Sequence, residues 1–136
     1  MEINVEDLPN TFHHEVETIK VCFPSDGKDL STSLANSIER CSYLIILDSN
    51  QTNEVTILLN DVQTAARGAA IQIAQLIINE QINAVIVLDI NSIVFNILAK
   101  AGIKIYLGTD GTLKENLDLF RQGRLVEYIY LNKYLI

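Results

Sequence analysis

Residues 82–108, INAVIVLDINSIVFNILAKAGIKIYLG, decide the fold. Ala84–Leu88 is continuously apolar, the pattern of a strand covered on both faces. Asn91 or Ser92 can cap a helix over Ile93–Ala101, and Gly102 can stop it. Ile103–Leu107 is apolar again and reads as the next strand. A strand, a helix and a further strand imply a parallel crossover, and such crossovers are right-handed.

The pattern extends in both directions. Downstream, Thr112-x-x-Glu115 is a capping box that opens a helix presenting Leu113, Leu117 and Phe120 and ending near Gly123. Leu125–Ile136 is apolar and aromatic, suited to a sixth strand or to a self-association arm. Upstream, Ala69–Asn79 is helical, with Ala70, Ile73, Ala74 and Ile77 on one stripe. Tyr43–Leu47 and Val55–Leu59 read as strands joined by the polar loop Asp48–Asn53, so they should pair antiparallel. Ile19–Phe23 is a short strand ending in the turn Pro24–Gly27. Ser31 or Thr32 can cap a short helix with Leu30, Leu34 and Ile38 on one face. The predicted order is β-α-β-β-α-β-α-β-α, an α/β domain with a five-stranded mixed sheet over residues 19–136. Residues 1–18 are polar and acidic and read as an extension.

Composition narrows the function. Of the 136 residues, 49% are hydrophobic and 20% charged, as in a globular domain. Ten Lys and Arg against seventeen Asp and Glu give a net charge of −7, which disfavours nucleic acid as a partner. No apolar run approaches the ~20 residues that span a bilayer. Residues 1–20 lack the apolar centre of a signal peptide, so the expected compartment is the cytoplasm, with Cys22 and Cys41 as thiols. No Ser-His-Asp, P-loop or paired CxxC pattern appears.

The topology predicts where a ligand would bind. Loops 24–42, 60–69, 88–92 and 107–112 should share the edge at the carboxyl ends of the parallel strands, where open α/β sheets hold ligands. Three helix starts, near Gly68, Asn91 and Thr112, offer free N–H groups there. Arg40 and Arg67 lie in the same loops, with Asp26, Asp89, Asp110 and Cys41. An anionic small ligand is the expected occupant. Cys22, between apolar neighbours in a strand, reads as core. His13 and His14 are adjacent, so their side chains diverge and they read as solvated. The aspartates read as turn and cap residues. A nuclease using paired metal ions needs carboxylates clustered around shared ions, and the first strand, residues 19–23, contains none.

These stretches together resemble a known family. Lys20–Gly27 (KVCFPSDG), Arg40–Asp48, Arg67–Ala70, Ala101–Gly108 and Gly111-Thr112, with the helix end Phe120–Gly123, look like the landmarks of the dinitrogenase iron–molybdenum cofactor family, of the NifX and NifB C-terminal type. The resemblance implies a ribonuclease H-like, three-layer α/β/α fold. It also implies a non-enzymatic protein that binds, carries or inserts an iron–molybdenum or iron–sulfur cluster. Family members often read His-Phe-Gly-Arg where this chain has Ser37-Ile38-Glu39-Arg40, and His where it has Arg67. Soft metals prefer thiolate and imidazole, which leaves Cys41 as the metal candidate. Asp26, Gly27, Arg40, Arg67, Gly68 and Asn91 are the other candidate binding residues. The alternative is a scaffold or interaction domain of the same fold without a cluster, and a homodimer is compatible with either.

Overall fold

In the computed structural model, which describes residues 19–62 and 68–129, the first strand supplies both halves of the core. Val21 and Phe23 point into one apolar cluster, and Cys22 into another on the opposite side of the sheet. That alternation follows from the two-residue period of a strand. The elements are β1 (Lys20–Ser25), β2 (Tyr43–Asp48), β3 (Gln51–Leu59), α1 (Ala69–Asn79), β4 (Ala84–Val87), α2 (Ser92–Lys100), β5 (Lys104–Leu107), α3 (Leu113–Arg121) and β6 (Val126–Glu127). The sheet order is β3-β2-β1-β4-β5-β6. β1, β4 and β5 are parallel, while β2, β3 and β6 run antiparallel to their neighbours.

The layers are α/β/α. Ile73, Ala74 and Ile77 of α1 and Val94 and Leu98 of α2 pack on the side of Cys22, Leu44, Ile46, Val85 and Val87. Leu113 and Leu117 of α3 pack on the side of Val21, Phe23, Ile45, Leu47 and Ile86. β4 is buried at every position, as its unbroken apolar sequence requires. α2 is capped by Asn91 and α3 by the Thr112–Glu115 capping box. Gly102 and Gly123, at φ 83° and 68°, supply the left-handed residues that follow α2 and α3. Among the described residues no helix is long and apolar enough to cross a membrane.

Two expectations are corrected. The sheet has six strands, not five: Tyr106 and Leu107 pair with Glu127 and Val126, and the Tyr128 N–H donates to the Ile105 carbonyl at 2.7 Å. A two-residue strand is too short to show alternation, so the sequence carries little signal for it. The second correction is the helix expected after β1, where the segment is irregular instead. The Asp29 carboxylate accepts from the Ser31 N–H at 2.9 Å, a turn that competes with helix. Ser33 bridges to Thr112, and the Ala35 N–H donates to the Pro24 carbonyl at 2.9 Å. Leu34 then joins the α3-side cluster and Ile38 the opposite one. A helix would have kept them on one face; the irregular chain sends them to both cores.

Candidate functional site at the carboxyl edge

The parallel strands end together at Ser25, Val87 and Leu107, beside the start of β2 and the end of β3. Residues 26–42, 60–62, 68, 88–91 and 108–112 therefore share one edge, where the sequence places these loops; residues 63–67 lie outside the described residues. Asp26 is exposed, and its carboxylate accepts from the Ser42 N–H at 3.0 Å and the Ser42 hydroxyl at 3.3 Å. It thus ties the end of β1 to the start of β2. The Gly27 N–H donates to Ser25 Oγ at 3.0 Å, and a Cβ on Gly27 would lie 2.8 Å from Thr32 Cγ2. Arg40 is exposed and its N–H donates to Ser37 Oγ at 3.2 Å. Arg67, like His13 and His14, lies outside the described residues.

Two buried asparagines hold this edge together, and sequence reasoning missed both. Asn60 Nδ2 donates to the carbonyls of Glu39 at 3.0 Å and Cys41 at 2.8 Å, while its Oδ1 accepts from the Val62 N–H at 3.0 Å. Asn116 Nδ2 donates to the carbonyls of Thr112 at 2.9 Å, Thr109 at 3.2 Å and Gly111 at 3.3 Å, and Oδ1 accepts from the Thr109 N–H at 2.7 Å. Their only signal in sequence is an amide side chain where an apolar residue would also fit the pattern. Burial makes such amides costly unless every group is paired, and here they are.

The three helix starts are not equivalent. That of α3 is occupied by the chain itself: the Leu113 N–H donates to the Thr32 carbonyl at 2.8 Å and the Lys114 N–H to the Leu30 carbonyl at 3.0 Å. The Thr112 hydroxyl accepts from the Glu115 N–H at 3.0 Å. This corrects the reading of Thr112 as an anion position. At α2, Asn91 Oδ1 accepts from the Ile93 N–H at 2.7 Å. The neighbouring cavity, about 260 Å³, is lined by Asn36, Ser37 and Asn91 together with the carboxylates of Glu39 and Asp89, which repel anions. α1 differs. Gly68 stands before it at φ 73°, and no side chain among the described residues caps it.

Cys41 is only 1% exposed and packs in the core with Cys22. Its Sγ donates to the Ile38 carbonyl at 3.2 Å. Burial pushes the thiol up to about 11, and the fully buried Cys22 is raised further. Both are free thiols. Among the described residues no group of three His, Cys, Asp or Glu could hold a metal. As folded, these residues present no thiolate at the edge and do not fit direct ligation of a cluster. At neutral pH both thiols should alkylate at least roughly 100-fold more slowly than in the unfolded chain, because a rise of about two pH units leaves that much less thiolate. Equal rates of iodoacetamide labelling with and without guanidinium would contradict this burial.

Relatives agree with this architecture. A family model described as dinitrogenase iron-molybdenum cofactor matches residues 19–123. An uncharacterized protein of Methanocaldococcus jannaschii is 25% identical over 116 residues, covering 84% of this chain and 95% of that one. A Thermotoga protein provisionally assigned as NifB, solved by NMR, is 28% identical with a TM-score of 0.69, covering 84% of this chain and 99% of that one. The apo form of the orange protein from Desulfovibrio gigas shares the fold at a TM-score of 0.76 and 21% identity, covering 86% of this chain and 98% of that one. With the matched region reaching from β1 through α3, this chain belongs to the dinitrogenase iron–molybdenum cofactor family.

Proposed function

We propose that this protein is a non-enzymatic carrier that holds an anionic metal–sulfur cargo at the carboxyl edge of its sheet, by charge and backbone hydrogen bonds rather than by cysteine ligation. The family is linked to the binding and biosynthesis of iron–molybdenum cofactor. The observation that carries the reading is the start of α1 at Gly68, which no side chain among the described residues caps, on the edge where α3 uses its own first N–H groups internally. First-turn N–H groups without a side-chain cap favour an anion. Arg40 and Arg67 neutralise the cargo, Asp26 and Gly27 shape the adjoining turn, and Asn91 borders the far side. A ribonuclease H-like layer order belongs to this reading, without nuclease chemistry, since β1 reads KVCFPS and carries no acid. A reducing cytoplasm suits two free thiols and an oxygen-sensitive cargo.

A second reading is an interaction domain of the same fold that has lost its cluster. The burial of Cys41 favours it. One experiment separates the two. Protein prepared anaerobically and offered iron, sulfide and molybdate is desalted, then analysed for metal and visible absorption. The carrier reading expects bound metal in the wild type and undiminished metal in Cys41→Ser. It also expects a loss of at least roughly tenfold in affinity in the double variant Arg40→Glu/Arg67→Glu, from two charge reversals beside an anion. Loss of the chromophore in Cys41→Ser alone would restore Cys41 as a ligand and require residues 38–41 to open. Metal-free protein throughout would leave the interaction domain.

A further inference from the structure

We propose that β3 is the seam of a homodimer, pairing antiparallel with β3 of a second copy across a two-fold axis at Ile57. β3 is the outermost strand on its side of the sheet and is nine residues long. Edge strands are normally blunted by proline, lysine, a bulge, short length or a cover, and the irregularity in β3, opposite Leu47 and Asp48, lies before Val55. β3, QTNEVTILL, contains no proline and no lysine, and its one charge is Glu54. Val55, Ile57 and Leu59 pair with Leu47, Ile45 and Tyr43 of β2 and so share the α3 side of the sheet. Ile45 and Leu47 are buried there, yet Ile57 is 42% and Leu59 58% exposed. Among the described residues, α3 is the one helix on that face, and it does not cover the outer strand.

The pattern along the strand selects the occupant. A two-fold axis perpendicular to the sheet keeps the α3 sides of both copies on one face. With the axis at Ile57, the two Ile57 side chains meet, and each Val55 lies opposite the second copy's Leu59. On the other face Thr56 meets Leu58. Each Glu54 falls opposite the neutral Asn60, and the two Glu54 carboxylates stand about 20 Å apart along the strand direction, beyond screening distance. Every apolar residue of the stripe thus finds an apolar partner and no like charges oppose. A C2 interface requires such self-complementarity. Among the described residues the opposite edge offers only the two residues of β6, with Val126 69% exposed. In this dimer the two carboxyl edges point in opposite directions, so each copy keeps its own cargo site.

The test uses full-length, cargo-free protein in sedimentation velocity over a wide concentration range. The wild type and Val126→Lys should both show the mass of two chains. Ile57→Lys should dissociate at least roughly 100-fold more readily, since each seam then carries two lysines in place of two isoleucines. Circular dichroism checks that it remains folded. Should it not fold, Ile57→Cys decides: a short bismaleimide should join two copies at this position, while Cys22 and Cys41 stay buried. A wild-type monomer at all concentrations would overturn the proposal. So would a dimer that survives Ile57→Lys, dissociation by Val126→Lys, failure of Ile57→Cys to cross-link, or open-ended growth instead of a closed pair.

Discussion

Replacing Asn116 with alanine should destabilise the domain by about 3 kcal/mol, seen as a fall of roughly 10 °C in Tm. The side chain is fully buried. Its removal orphans the Thr109 N–H and strips Nδ2 from the carbonyls of Thr109, Gly111 and Thr112. The hole does not collapse easily, because Gly108 already packs tightly: a Cβ there would lie 2.7 Å from Asn116 Oδ1 and 3.0 Å from Ile86 Cγ2. Asn116→Asp sharpens the argument. Ionised, it would set a carboxylate against three carbonyl oxygens, so its folded pKa rises above the unfolded value. Stability is then present at low pH and is lost as pH rises through the unfolded pKa toward the folded one. Urea titrations at pH 4 and pH 7 should show the Asp variant closer to wild type at pH 4. An Asn116→Ala variant within about 1 kcal/mol of wild type would mean that water replaces the amide.

Alkaline pH should unfold the protein through its two thiols. Both ordinarily ionise near 9; Cys41 is raised to about 11 by burial, and Cys22 is raised as well. Below pH 8 folded and unfolded chains both hold these protons, so the thiols add no pH dependence. Above pH 9 the unfolded chain releases protons that the folded chain keeps, and stability falls. Each thiol contributes at most about 1.4 kcal/mol per pH unit, and less near its own ionisation, so the pair removes about 4 kcal/mol between pH 9 and pH 11. That is a large part of the stability of a small domain. Urea midpoints measured across this range should drop steeply, and the drop should be much shallower in Cys22→Ala/Cys41→Ala. Lysines and tyrosines titrate in both proteins, so parallel slopes would show that the thiols are not the cause.

Much of the fold is legible in the residues. The unbroken run at β4 and the capping box at Thr112 each state a local preference that nothing distant overrides; the polar stretch after β2 marks a turn, but only Ser49 and Asn50 form it, and Gln51–Asn53 join β3. The antiparallel hairpin and the parallel crossovers then place the carboxyl edge without any coordinates. The segment after β1 resists the same treatment. Leu30, Leu34 and Ile38 have helical spacing, but Asp29, the Ser33–Thr112 bridge and the division of these residues between two cores outweigh that spacing. At the candidate site the residue types are visible in sequence and their availability is not. Thr112 and Gly68 both read as helix starts; only the structure shows the first filled by residues 30–32 and the second without a side-chain cap among the described residues.

By itself the sequence determined the strand and helix alternation, the antiparallel hairpin, the edge where the loops converge and the family, because these depend on patterns within short stretches and on their order. The tertiary structure alone decided which helix start at that edge is filled by the chain itself, that Cys41 is sealed in the core, that Asn60 and Asn116 tie the loops together, and that β3 is uncovered on the α3 side among the described residues. Exposure, hydrogen-bond partnership and pKa are properties of the neighbours a residue meets, and those neighbours are brought together from distant parts of the chain.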